Sequence, residues 1–287
     1  MSTYTDALNR TIDIQNPPGR IVSLVPSLTE ALFDFGLGDA IVGVTKFCVE
    51  PAAQVVAKAK VGGTKTLDVR RVLELEPDLV IANAEENRQE DIRQLLAAGQ
   101  KVFVTFPRTV AGAIQMMRQL AEITGSLDVA QPILEEAQAA LSDALAASAG
   151  RRPLRTFCPI WRRPWMTVGP NTYMHDVMAV CGAANIFGDR HERYPKSELD
   201  EVARRSPEVI LLPNEPYPFG AKHLPEFTQY TQVPAVRDGR IYLLEGKHLC
   251  WYGPRIAGSL RFVQRLLWGQ APSASPRRPD ETGTGSL

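Results

Sequence analysis

The residues of this chain best suited to chemistry are four histidines, four cysteines, a run of carboxylates and a set of aromatic loops. His175, His191, His223 and His248 show no metal-ligand spacing of the HExxH kind. Cys48, Cys158, Cys181 and Cys250 are far apart and form no CxxC pair, which argues against a zinc ribbon or a thioredoxin-like motif; disulfides stay open, with buried free thiols the favoured reading. No GxSxG elbow occurs, and Gly62-Gly63-Thr64-Lys65-Thr66 lacks the spacing of a phosphate-binding P-loop. Gly36-Leu37-Gly38 follows a helical stretch, the wrong context for a dinucleotide fingerprint, and reads as a helix stop and a turn. Nucleophilic, metal-hydrolytic and dinucleotide chemistry therefore have no constellation to work with, and the chain reads as non-catalytic.

The aromatic residues are more telling. Trp161-Arg162-Arg163-Pro164-Trp165 follows one predicted strand, Tyr194-Pro195 precedes a helix, and Trp251-Tyr252-Gly253-Pro254 follows the last strand. Loops at the carboxyl ends of parallel strands are where such sheets take ligands. Rigid rings interleaved with Arg162 and Arg163 suit a large, flat ligand with polar or anionic groups. A single tryptophan in such a loop is as often the filling of a satellite core, but three aromatic loops on one rim favour a pocket. The matching first-half loops carry Pro26-Ser27, Phe47-Cys48 and Asn83 through Arg88. A helix starting near Ser27 offers N–H groups to a ligand, although Ser27 with Glu30 also has capping-box spacing. Glu85, Glu86, Glu90 and Asp91 at one helix start, and Asp200 with Glu201 at another, read first as solvated faces. One acidic patch per lobe also suits docking on a basic partner.

Two copies of one pattern must position these loops. Leu67 to Ala82 returns as Leu199 to Leu212, pairing Val72 with Val202, Pro77 with Pro207 and Asp78 with Glu208. In each copy an amphipathic helix stops before a proline, and an acidic residue opens a short strand buried on both faces. Strands at Arg20–Val25, Ile41–Val44, Leu79–Ala82 and Val102–Phe106 alternate with helices at Leu28–Phe35, Val69–Glu76, Asp91–Ala98 and Thr109–Ile123. Strands at Arg155–Ile160, Val209–Leu212 and Ile241–Leu244, with helices at Thr172–Cys181, Leu199–Arg205 and Ile256–Leu267, repeat the plan. Such alternation predicts an α/β fold of two parallel-sheet lobes with a cleft between them. Between the lobes, the Ala-rich stretch Ser126–Ala149 predicts one helix roughly 30 Å long, with Val129, Ile133, Leu134, Ala137, Leu141 and Leu145 on its apolar face. Pro132 marks either its start or a kink. The resulting layout is an N-terminal extension (1–19), a first lobe (20–125), the connecting helix (126–150), a second lobe (151–268) and a disordered tail (269–287).

Thirty-two basic residues balance thirty-two acidic ones, so no global field is available to gather nucleic acid or an anionic membrane. No stretch is long and apolar enough to span a bilayer. The first residues lack the basic start and apolar stretch of a secretory signal, which taken literally places the chain in the cytoplasm.

Arg20 through Glu30, Val61-Gly62-Gly63, Pro77 through Ala82, Cys181-Gly182 with Asn185-Ile186-Phe187, and Ser206 through Ile210 together resemble the helical-backbone (class III) substrate-binding proteins of ABC importers. That group carries cobalamin, iron siderophores and haem, and the likeness, over residues 20–268, is to its cobalamin-binding branch. The resemblance implies two α/β lobes joined by a long helix and a ligand held between them with little closure. It also implies an extracytoplasmic monomer with no resident cofactor, the metal chelate being its cargo, and an ABC permease with its ATPase as partner. Tyr194 falls where the cobalamin proteins place an aromatic residue, with Trp165 and Trp251 in ligand-facing loops, while Asn83 stands where they can carry an aromatic, implying a more polar first-lobe face. Expected ligand-facing residues are thus Pro26, Ser27, Phe47, Asn83, Trp161, Arg162, Trp165, Tyr194, His248 and Trp251. Members dock through one acidic residue per lobe: here Asp200 with Glu201 beside it, and on the first lobe Gln89, next to Glu90. A second reading, an intracellular corrinoid-handling protein or enzyme on the same fold, rests on the N-terminus and on His248 and Cys48 as metal ligands.

Overall fold

Short apolar runs become the strands, because a run buried on both faces has no polar side to show. A computed structural model describes residues 2–269. The chain opens with a hairpin of β1 (Ser2–Thr5) and β2 (Thr11–Ile14), whose turn is organised by Asp6. In the first lobe follow β3 (Ile21–Ser23), α1 (Pro26–Asp34), β4 (Ile41–Val44), α2 (Ala52–Val55) and β5 (Ala59–Lys60). Then come α3 (Val69–Glu74), β6 (Leu79–Asn83), α4 (Gln89–Ala97), β7 (Val102–Thr105) and α5 (Val110–Thr124). After α6 (Leu127–Ser148), the second lobe holds β8 (Leu154–Phe157), β9 (Pro159–Trp161), β10 (Met166–Thr167), α7 (Tyr173–Val180), β11 (Ala183–Asn185) and α8 (Leu199–Arg204). It ends with β12 (Val209–Pro213), α9 (Pro225–Thr228), α10 (Pro234–Arg237), β13 (Ile241–Leu244), α11 (Lys247–Cys250) and α12 (Ile256–Trp268).

Two wholly parallel sheets result, ordered β5-β4-β3-β6-β7 and β11-β8-β12-β13. The order β4-β3-β6-β7 is that of β11-β8-β12-β13, so the repeat in sequence is a repeat in topology, with β5 added at one edge. The repeated acidic residue has a job in each copy. Asp78 accepts from the backbone N–H of Gly19 and Arg20 at 2.9 and 2.8 Å, and Glu208 accepts from that of Arg155 at 3.0 Å. In return the Arg20 and Arg155 side chains donate to the last carbonyls of the preceding helical segments, at Leu75 and Glu76 and at Arg205 and Ser206. Each lobe thus ties its first strand to the helix stop and strand start of the repeated motif. Asp78→Ala and Glu208→Ala are each expected to lower unfolding free energy by about 1 kcal/mol through the lost acceptor, read as a reduced urea midpoint with unchanged slope.

The 22-residue helix α6 spans about 33 Å and continues through Pro132 without a break. Pro132 leaves the Asp128 carbonyl one turn earlier without its helical donor, and both residues are exposed, so water can take the freed acceptor. Its buried stripe is Ala130, Leu134, Ala137, Ala140, Leu141 and Ala144, while Val129 and Leu145, expected inside, are 54% and 52% exposed. Alanine wins these positions because α5 and α12 both pack on this helix, and small side chains let the axes approach. Gly125 and Gly182 end α5 and α7 with φ of 67° and 89°, the left-handed stop at which glycine carries no Cβ penalty. Among the described residues no helix is long and apolar enough to cross a membrane. The expected disordered tail, beyond Gly269, lies outside the described residues.

Candidate functional site

In each lobe the winding reverses beside the first strand, between β3 and β6 and between β8 and β12. Beyond the carboxyl ends of such strand pairs lies the crevice where a doubly wound sheet takes its ligand. The two crevices open onto one cavity of about 760 Å³. The first lobe contributes Pro26 and Ser27 at the start of α1, Lys46 and Phe47 after β4, and Glu85 and Glu86 after β6. The second contributes Trp161 in β9, Tyr173 at the start of α7, Tyr194, Glu215 after β12, and Trp251 and Tyr252 after α11.

Carboxylates of the first lobe meet phenols of the second. Tyr194 donates its hydroxyl proton to Glu85, and Tyr252 does the same to Glu86. Arg193 also pairs with Glu85 at 2.8 Å. Burial pushes the Glu86 carboxyl up to about 7, with the Tyr252 hydrogen bond opposing and the Glu85 and Glu215 charges adding to the rise. Burial, and then the adjacent carboxylates, push both phenols up, so they stay O–H donors. Further along the interface Arg255 pairs with Glu30 at 2.7 Å and Lys247 with Glu50 at 2.9 Å. Glu30 therefore serves the lobe interface instead of a capping box: α1 starts at Pro26, and Ser27 lies inside the helix without capping it. Ser27 is 2% exposed, and its buried hydroxyl has no hydrogen-bond partner among the described residues. Gly253 of the second lobe packs so tightly there that a Cβ would stand 2.9 Å from the Ser27 carbonyl oxygen.

The profile of the periplasmic binding protein family matches residues 21–247, most of the chain. The chain belongs to that family. The vitamin B12-binding protein of Vibrio cholerae is 26% identical over 247 residues, covering 86% of this chain and 88% of its own. That of Yersinia pestis (strain Pestoides F) is 29% identical over 193 residues, 67% of this chain and 69% of its own. Among solved structures, the periplasmic vitamin B12-binding protein BtuF of Vibrio cholerae superposes with a TM-score of 0.78 at 24% identity, covering 88% of this chain and 97% of that one. The periplasmic haem-binding protein BhuT, in complex with two haems, gives 0.76 at 24% identity over 86% and 97%. At these identities the structural likeness is one of fold.

Against this binding-protein fold, the ten residues expected to face a ligand divide by where their side chains go. Pro26, Ser27, Phe47, Trp161, Tyr194 and Trp251 line the cavity. Asn83, Arg162, Trp165 and His248 do not. Asn83 is buried at the end of β6, where its side chain accepts from the N–H of Glu85 and Glu86 and so shapes the loop that carries them. The polar first-lobe face comes from those two glutamates instead. Arg162 turns away to pair with Glu226 at 2.9 Å. Trp165 fills a satellite core, stacked on Phe219 at 5.8 Å and edge-on to Phe227. His248 stacks on Phe262 at 4.1 Å and bonds Ser259, and burial lowers its pKa, leaving a neutral ring directed at α12. Cys48 is likewise buried between Thr29 and Thr45, with its thiol pushed up by burial. All four cysteines are free.

Sequence reasoning missed Tyr173, Glu85 and Glu86 as cleft residues, and Glu215. The last had a signal: the spacing that pairs Pro77 with Pro207 also pairs Glu85 with Glu215, two residues beyond equivalent strands. Of the residues expected to meet a permease, Glu90 and Asp200 are exposed. Glu201 is held within its lobe by Arg190 at 2.5 Å and Arg205 at 3.0 Å, which lower its pKa against the rise from burial.

Proposed function

We propose that this chain is the substrate-binding component of an ABC importer, holding a corrinoid such as cobalamin in the cleft and delivering it to a permease. The observation that carries the reading is the 760 Å³ cavity at both switch points, walled by Phe47, Trp161, Tyr173, Trp251 and Tyr252. Its size and aromatic character suit a large, flat ligand. The named B12-binding relatives support the corrinoid, and the haem-binding fold neighbour makes haem the comparison ligand. On this reading the protein works outside the membrane its permease serves. The intracellular alternative loses its chemical motive, since His248 and Cys48 both point away from the cavity. Titration with cyanocobalamin, haem and a ferric siderophore, following tryptophan fluorescence, tests the proposal: saturable binding of the corrinoid is expected, and no binding of any of the three refutes it.

Docking on the permease is proposed through Asp200 near the start of α8 and, on the first lobe, through Asp68. The repeat makes α3 the counterpart of α8, and exposed Asp68 stands at the start of α3, whereas Glu90 lies on the following helix. Asp68 also caps α3 by accepting from Arg71 N–H at 3.0 Å, so Asp68→Asn removes charge while keeping an acceptor. Asp68→Asn with Asp200→Lys is expected to weaken permease association about tenfold or more, with corrinoid affinity within about twofold of the parent. Equal loss from Glu90→Lys alone would return the first-lobe contact to α4.

A further inference from the structure

We propose that the cleft discriminates among flat metal chelates by the charge of their rim, accepting those edged with neutral carboxamides and rejecting those edged with carboxylates. The inference rests on the ligand-binding reading above and deepens it. Three carboxyl side chains line the cavity, Glu85, Glu86 and Glu215, against one lysine, Lys46. Glu85 and Glu215 are repeat counterparts placed after equivalent strands, so an acidic residue projects from each lobe. Each is fixed by neighbours: Glu85 by Tyr194 and Arg193, Glu86 by Tyr252, and Glu215 by the Trp251 indole N–H at 3.2 Å. Arg193 offsets Glu85 from outside the lining, which leaves Glu86 and Glu215 without a basic partner in the contacts they make.

A carboxylate brought against these groups meets like charge in a site walled by aromatic rings, where water screens poorly. A carboxamide meets complementary groups. Its NH₂ donates to the glutamates, and its carbonyl accepts from donors that are also present. Ser27, whose buried hydroxyl has no partner among the described residues, lines the cavity at the start of α1, and the Lys46 ammonium group is a further donor in the lining. Hydrogen-bond acceptors and donors in one aromatic cleft match a rim of primary amides, each of which is both.

The test compares two corrins of identical ring, metal and axial ligands: cobinamide, with its carboxamide rim, and cobyrinic acid, in which those side chains are carboxylates. Titrated calorimetrically against the full chain at pH 8, cobinamide is expected to bind at least a hundredfold more tightly. In Glu85→Gln/Glu86→Gln/Glu215→Gln the gap is expected to narrow at least tenfold, with Glu215→Gln alone narrowing it severalfold should the triple variant fold poorly. Equal affinities in the parent protein, or an unchanged gap in a folded variant, would overturn the charge rule while leaving the binding function intact. Failure of both corrins, haem and a ferric siderophore to bind removes the binding reading and the rule with it.

Discussion

Phe47→Ala combined with Trp161→Ala is expected to weaken cyanocobalamin binding about a hundredfold or more while leaving stability within about 1 kcal/mol of the parent. Phe47 is 52% exposed and Trp161 45%, yet both line the cavity, one from each lobe. Large rings left in water contribute little to the fold, and they recover their apolar area only when a ligand covers them. Trp161 has a modest structural tie, an edge contact with Tyr217 at 5.6 Å, which sets the small stability cost. Trp251 differs: at 7% exposure and bonded to Glu215, its removal is expected to reduce stability and affinity together. Calorimetric titration beside a urea melt separates the cases. A large drop in stability without loss of affinity in the double variant would place Phe47 and Trp161 in the core and empty the cleft of its anchors.

Glu86→Gln is expected to stabilise the protein increasingly as pH rises. The folded state raises this carboxyl to about 7 from an ordinary 4.5, chiefly by burial, so the fold binds its proton more tightly than the unfolded chain does. An acid raised in this way contributes most favourably at acid pH, and its contribution falls as pH climbs through the window between those two values, becoming constant above about 7. Glutamine keeps an acceptor for Tyr252 and carries no charge to desolvate. The stability difference between variant and parent is therefore expected to widen by about 2–3 kcal/mol between pH 5 and pH 8. Chemical denaturation at three or four pH values measures it. A difference that stays flat would mean that Glu86 is hydrated enough to ionise at ordinary pH.

The cleft's chemistry was less legible than its architecture, for reasons visible at single residues. Trp165 and Trp161 belong to one loop of the same composition, yet one is stacked in a satellite core and the other faces the cavity. Trp161 ends β9 while Trp165 closes the four-residue turn before β10, and partners distant in the chain, Phe219 and Phe227, hold the second ring in the core. Glu85 and Glu86 read as solvated charges because nothing nearby in sequence pairs with them. Their partners, Tyr194 and Tyr252, arrive only when the second lobe docks. Asn83 was drawn toward the ligand by the position it occupies, but its amide is consumed locally in ordering the glutamate loop.

The sequence by itself determined the two sheets, their parallel sense, the long helix between them and the repeat that relates the lobes. Those features follow from local causes: apolar runs buried on both faces, glycine stops, prolines that end helices, and an acidic residue that ties β6 and β12 to the start of the neighbouring strand. Only the tertiary structure decided which loops share the cavity, which rings stay bare for a ligand and which carboxyl is desolvated. Each of those depends on contacts between segments distant in the chain, as with Trp165 and Phe219, Glu85 and Tyr194 or Glu86 and Tyr252, and no local pattern encodes such a meeting.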